Sequence, residues 1–339
     1  MIIDAHTHGM SDAKLDDLIA VGGPWAKKQV EWTYKTAKRK PFFTDVSLRV
    51  AELDKNGYDY QLVSLQWGYD CNMASPDLAV QLACARVLND NLARFMEESG
   101  GRLLTVGTIP MAGFQQGALQ EADRLVKTLG LKGISIPSNI SGEPIDAPQF
   151  EDFWAYCNQN NVPVFIHPAD PVSSGGRKYE AEYDLMHNFG WPFETQLMLA
   201  RLVFSGIMER YPNLTVVGHH LGGGIPFMWG RTTESYNTGD RPYDPSNQKM
   251  IARTLPKPIF DYFSMFYYDT AVGGSGPAIR CAYDVFGADR IIYATDAPFG
   301  PGDGAERMVE YPKVVASLGL PEADREKIMS GNIRRILGI

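Results

Sequence analysis

Two imidazoles stand two positions apart in the opening stretch Ile2-Ile3-Asp4-Ala5-His6-Thr7-His8. Residues i and i+2 of a strand project to the same face, so His6 and His8 can bind one metal ion together. A lone strand histidine is more often satisfied by hydrogen bonds, but a pair at this spacing behind two isoleucines points to a metal centre. Further ligands stand where other apolar runs end. Val164-Phe165-Ile166 closes on His167, Tyr293-Ala294-Thr295 closes on Asp296, and Val216-Val217-Gly218 closes on His219 and His220. Two histidines from the first run, one from the fifth and a carboxylate from the eighth make a mixed nitrogen and oxygen set, with one or two positions left for water or substrate. Strand parity says of His219 and His220 only that they face opposite ways.

The elements that must position these groups follow from periodicity. Short β-branched runs are expected as strands at Ile2 to Ala5, Tyr60 to Gln66, Leu103 to Ile109, Gly133 to Pro137, Val162 to Ile166, Leu214 to Gly218, Ser264 to Asp269 and Arg290 to Thr295. Between them lie helical patterns such as Leu78 to Met96, Ala118 to Leu129, Phe150 to Asn158 and Gln196 to Arg210, and Glu322 to Leu337 reads as a closing helix. Alternation of strand and helix means a parallel sheet. Eight such units without a glycine fingerprint after the first strand favour a closed (β/α)8 TIM barrel over an open doubly wound sheet. At 339 residues the chain suits one such barrel domain spanning residues 1–339 with insertions. The connections Gly9 to Thr44, Ala169 to Thr195 and Gly230 to Phe263 are too long for plain barrel loops. Each follows a strand, so each is expected at the catalytic face as a lid or an interface.

Composition narrows the partner. A net charge of −8 with no basic run argues against nucleic acid or an anionic membrane, and for a small molecule. No apolar run approaches bilayer length, and a strand beginning at residue 2 leaves no room for a signal peptide, so the expected location is cytoplasmic. Cys71, Cys84, Cys157 and Cys281 form no CxxC pair and read as reduced thiols.

Taken in order, His6-Thr7-His8, Arg49 ahead of Leu53-Asp54-Lys55-Asn56-Gly57, His167-Pro168, Pro192-Phe193-Glu194-Thr195, His220 leading Gly222-Gly223-Gly224-Ile225-Pro226-Phe227, Gly230-Arg231 and Thr295-Asp296-Ala297-Pro298-Phe299 form a specific pattern. It resembles the amidohydrolase superfamily, in the branch of aminocarboxymuconate-semialdehyde decarboxylase and the hydroxybenzoate decarboxylases, over nearly the whole chain. The resemblance implies one divalent metal held by His6, His8, His167 and Asp296, with His220 as the acid or base and His219 buried or behind the ligands. It also implies a dimer in which Arg231 reaches the neighbour's pocket.

Binuclear members of that superfamily carry a carbamylated lysine at the end of strand 4. Here that strand ends in Ile136-Pro137-Ser138-Asn139, which supports a single metal. Zinc is the first expectation, and manganese and cobalt accept the same ligands.

The chemistry expected of such a site is non-oxidative decarboxylation of an aromatic or muconate-like carboxylic acid. His220 would deliver a proton to the carbon losing CO2, Asp296 would share a proton with His220 besides ligating, and the metal would act as electrostatic sink. Arg49 and Arg231 would clamp carboxylates, and Trp191, His187 and Phe299 would stack against a planar substrate. Hydrolysis of a carbon–carbon, lactone or amide bond, or hydration, is the alternative on the same site. A metal-binding barrel without catalysis, kept as a scaffold, is a third reading.

Overall fold

The computed structural model describes residues 1–65, 69–170, 182–238 and 255–339. Eight parallel strands line up with the eight apolar runs: β1 Ile3–His8, β2 Tyr60–Ser64, β3 Leu103–Thr105, β4 Ile134–Pro137, β5 Val164–His167, β6 Val216–Gly218, β7 Tyr267–Asp269 and β8 Ile291–Ile292. They fall into two sheets, β1-β2-β3 and β8-β7-β6-β5-β4. Backbone hydrogen bonds join the sheets at both edges. Gly107 donates to Gly133 at 2.9 Å and Ser135 to Gly107 at 2.8 Å on one side. On the other, Ala5 donates to Tyr293 at 2.9 Å, His8 to Ala297 at 2.7 Å and Asp296 to His6 at 2.9 Å. The fold is a TIM barrel with its helices outside.

The barrel interior is filled by Ile3, Ala5, Leu62, Leu104, Phe165 and Val217, with Leu337 of the C-terminal helix Asn332–Leu337 packed against the same cluster. Ile3 and Ala5 therefore point inward, and unbroken alternation would turn His6 and His8 outward. The β1–β2 register prevents this. Asp4 pairs with Gln61 but Thr7 with Val63, so β1 holds one extra residue between them. That bulge returns His6 and His8 to the interior at the carboxyl end of the strand.

The Gly9 to Thr44 connection is more ordered than a loop. Most of it is the helix Leu15–Ala37, bent at Gly23 and Pro24. Its apolar stripe, with Leu15, Leu18, Ala26 and Val30 buried, explains why it packs on the barrel instead of remaining a lid of irregular chain. Lys40 fastens its end to the rim after β8 by donating to Pro298 O at 2.9 Å and Gly300 O at 3.1 Å. The expected loops Ala169 to Thr195 and Gly230 to Phe263 lie partly outside the described residues. Their described parts include the helices Trp191–Phe204, Ile225–Thr238 and Ile259–Phe263. No helix among the described residues is long and apolar enough to cross a membrane.

Candidate active site

Each ligand candidate leaves the barrel wall at a strand's carboxyl end, and each is oriented by a partner behind it. His6 Nδ1 donates to Asp269 Oδ2 at 2.9 Å, and His167 Nδ1 donates to Pro168 O at 2.7 Å. His8 Nδ1 lies 3.3 Å from both Leu65 O and Ser64 Oγ. An acceptor at Nδ1 keeps the proton there and leaves the lone pair on Nε2. The three Nε2 atoms turn toward one another, and His6 and His8 bring theirs within 3.1 Å. Asp296 Oδ1 is 3.3 Å from His8 Nε2 and 4.0 Å from His6 Nε2. The three imidazoles place their ligand atoms within 4.8 Å of one another, and the Asp296 carboxylate stands beside the His6 and His8 edge, an arrangement that fits a single divalent cation.

Electrostatics favour the protonation states that ligation needs. Burial pushes His6 down to about 3, aided by the neighbouring His219, although Asp269 pulls the other way. Burial likewise holds His167 well below the ordinary imidazole range, with His8 and His6 adding to it. For Asp296 burial alone would raise the pKa, but the hydrogen bond with His8 and the nearby imidazoles outweigh it and hold the carboxyl below its usual range. Neutral histidines and an ionised aspartate are the ligating forms.

After β6 the chain turns sharply through His220 at φ 55° and Leu221 at φ 54°. Gly223 completes the turn at φ 72°, where a Cβ would lie 1.7 Å from Pro192 O, so only glycine fits against the helix Trp191–Phe204. The turn carries His220 to the cavity wall and leaves His219 buried. His220 Nδ1 donates to Ala271 O at 2.6 Å. His219 stacks on the His6 ring at a centroid distance of 3.6 Å and hydrogen-bonds Asp269 through Nδ1.

The described residues bound a cavity of about 1220 Å³ over the ligand set, reached by His8, His167, His220 and Asp296. Trp32, Trp191 and Phe299 give it aromatic walls, with the Phe299 ring 5.4 Å from that of His8. His187 stands at its more exposed edge, 5.1 Å from the Trp191 ring.

Arg49 requires a correction. It is 1% exposed and lies on the outer side of the β1–β2 wall, donating to Gln61 Oε1 at 2.7 Å, His8 O at 2.7 Å and Phe42 O at 3.2 Å. Those bonds hold the backbone of the strand that carries His6 and His8, and the guanidinium does not line the cavity. Arg231 is exposed on the helix Ile225–Thr238 and does not line its own chain's cavity either. Among the described residues the arginine that does is Arg307, which donates from Nη1 to Asp296 Oδ2 at 3.2 Å. Sequence reading passed over it because it sits inside the helix Ala305–Ser317 with no motif around it. Asp269 was passed over too, although an acid ending a barrel strand was a usable signal.

The family profile described as amidohydrolase matches residues 3–339 of this chain. The chain belongs to the amidohydrolase family. Among its relatives, this amidohydrolase is 30% identical over 298 residues to the 2-amino-3-carboxymuconate-6-semialdehyde decarboxylase of Dictyostelium discoideum, covering 87% of this chain and 77% of the relative. It is 29% identical over 299 residues to a gamma-resorcylate decarboxylase of Polaromonas sp., covering 85% and 86%. A crystal structure of a Polaromonas dihydroxybenzoic acid decarboxylase, with bound manganese and the inhibitor 2-nitroresorcinol, superposes with a TM-score of 0.78 at 25% identity, covering 99% of this chain and 96% of that one. The amidohydrolase thus stands in the decarboxylase branch of its family.

Proposed function

We propose that this amidohydrolase is a metal-dependent carboxy-lyase that decarboxylates an aromatic or muconate-like acid without an oxidant. The observation that carries the reading is His220, whose Nδ1 is committed to Ala271 O and whose ring faces an aromatic-walled cavity beside the ligand set. The kinship with decarboxylases of resorcylate and aminocarboxymuconate semialdehyde supports it.

His6, His8, His167 and Asp296 would hold the cation. When bound, it supplies a Lewis acid that binds the substrate's anionic oxygens and stabilises charge as the carbon–carbon bond breaks. Because the Ala271 carbonyl keeps the Nδ1 proton in place, Nε2 is the His220 atom that takes up and delivers a proton. Delivery to the carbon bearing the carboxylate lets the carbon–carbon pair return to the substrate's π system as CO2 leaves. Trp191, Phe299 and Trp32 keep a planar substrate in position and the site dry. Asp296, beside His8 and His220, disperses the charge that His220 carries before it gives up its proton.

Zinc was the sequence expectation; the manganese in the Polaromonas relative supports manganese equally. Arg231 shares its helix with Phe227, 82% exposed, and Trp229, 38% exposed, which supports a two-fold dimer with Arg231 directed at the partner's pocket. Four free thiols suit a reducing, cytoplasmic setting.

The test is incubation of manganese- or zinc-loaded enzyme with a panel of hydroxybenzoates and unsaturated diacids, with CO2 release and product mass recorded. Loss of CO2 supports the reading. A product heavier by one water, without CO2, would replace it by hydration or hydrolysis.

A further inference from the structure

Asp269 closes β7 and is fully buried, and it accepts four N–H groups. Its Oδ2 faces His6 Nδ1 at 2.9 Å and His219 Nδ1 in a shorter contact. Its Oδ1 accepts the backbone N–H of His220 at 2.9 Å and that of Ala271 at 3.0 Å. Ala271 in turn returns its carbonyl to His220 Nδ1 at 2.6 Å. One carboxylate therefore sits behind a metal-ligand candidate with one oxygen, and behind the proton-transfer candidate with the other.

We propose that Asp269 is a positioning residue that couples the metal end of the site to its acid–base end. Oδ2 fixes His6 in the tautomer and rotation that present Nε2 to the cation. Oδ1 holds His220 in its left-handed backbone conformation, which a residue other than glycine keeps only where its surroundings enforce it. His219 makes the arrangement self-consistent. Its Nδ1 supplies the fourth N–H and its ring packs flat on His6 at 3.6 Å, so the carboxylate is fully satisfied in a site closed to water. An ionised carboxylate on the far nitrogen of a ligating imidazole raises that ligand's basicity.

An asparagine of the same shape separates positioning from packing. Its NH2 group cannot accept from His6 Nδ1–H; turned the other way, it leaves the His220 and Ala271 amides facing a donor. In either orientation one half of the coupling is lost.

The inference rests on the metal-site reading under the proposed function, and its test needs no substrate. In metal-free wild-type enzyme, ¹⁵N spectra of the imidazoles should give the Nδ1–H tautomer for His6, and the His220 amide should exchange slowly. In Asp269→Asn, the orientation of the amide decides which half fails: either Mn²⁺ affinity by calorimetry should fall about 10- to 100-fold, or His220 amide protection should disappear. The control is Glu121→Gln, an equally buried acid bonded to Asn89 and Arg124 away from the site, which should leave both readouts unchanged. Wild-type Mn²⁺ affinity together with wild-type His220 protection in a folded Asp269→Asn protein, or an Nε2–H tautomer for His6 in the wild type, overturns the proposal. The tautomer measurement decides it if the variant does not fold. Failure of decarboxylation with every acid tried would leave these readouts untouched, so the two readings fail separately.

Discussion

Arg307 Nη1 donates to Asp296 Oδ2 at 3.2 Å, and the same carboxylate presents Oδ1 to His8 Nε2 at 3.3 Å. A second bond from Nη1 to Thr295 O at 3.0 Å fixes the guanidinium against the turn that carries the aspartate. The arginine thus selects which oxygen points inward. Arg307→Met should lower Mn²⁺ affinity about tenfold or more, as expected when the group behind a ligand is removed. His167→Ala should abolish stoichiometric binding, because it would remove one of the four proposed ligands. Calorimetric titration measures both; an unchanged affinity in Arg307→Met reduces its contact to an ion pair at the cavity rim worth little.

His220→Ala should retain the metal and lose about a hundredfold or more in turnover, the usual cost of removing a general acid–base group. His219→Ala should act through stability and metal affinity, since its ring is buried against His6. Metal analysis beside steady-state rates separates the two, and exchanged phenotypes would move the proton-transfer role to His219.

Arg49→Met should cost about 3 kcal/mol of stability, because it strips donors from His8 O, Phe42 O and Gln61 Oε1 in the barrel wall. Denaturant unfolding of the metal-free protein reads this directly. A stable variant with only a raised KM would return Arg49 to substrate binding.

Asp70 lines a small recess beside His167, and burial pushes its carboxyl up to about 6 although Asn72 donates to it. A folded-state value above the unfolded one means that the native state binds the proton more tightly. The group therefore favours folding at low pH, and that advantage is lost as pH rises from about 4 through 6. Asp70→Asn keeps an acceptor for Asn72 and cannot ionise. Relative to wild type it should gain about 1–3 kcal/mol between pH 4 and 7.5. Parallel stability–pH curves for the two proteins would show that Asp70 is not buried as a charge.

Mixing His220→Ala and Arg231→Ala subunits under conditions of proven exchange tests the dimer. If Arg231 completes the partner's pocket, half of the dimers carry one intact site, and activity returns to about a quarter of wild type. Activity that stays at the level of the inactive parents rejects a shared site.

The architecture was legible because β-branched runs alternate with helical stripes, and all eight runs proved to be strands. The candidate ligands were legible for the same reason: His6, His8, His167 and Asp296 end such runs. What escaped were features that sequence spacing does not encode. The bulge in β1 appears only in its pairing with β2, since Ile3 and Ala5 followed by His6 and His8 look like plain alternation with a change of face. Arg49 resembled a substrate clamp because its neighbours form a motif, yet that motif belongs to a helix behind the wall. Arg307 and Asp269 act through Asp296 and through His6 and His220, and a second layer leaves no spacing of its own.

The two-sheet division of the barrel has a consequence for how it breathes. His6 and His8 belong to the three-stranded sheet, His167 to the five-stranded one, and Asp296 follows β8 at the edge where the two meet. A cation bound by all four would act as a clasp across that edge. Metal removal should therefore raise local opening there before the rest of the barrel loosens. Deuterium should enter the Ala5, His8 and Asp296 amides sooner in the metal-free protein, while the Val164 amide, inside the five-stranded sheet, keeps its protection.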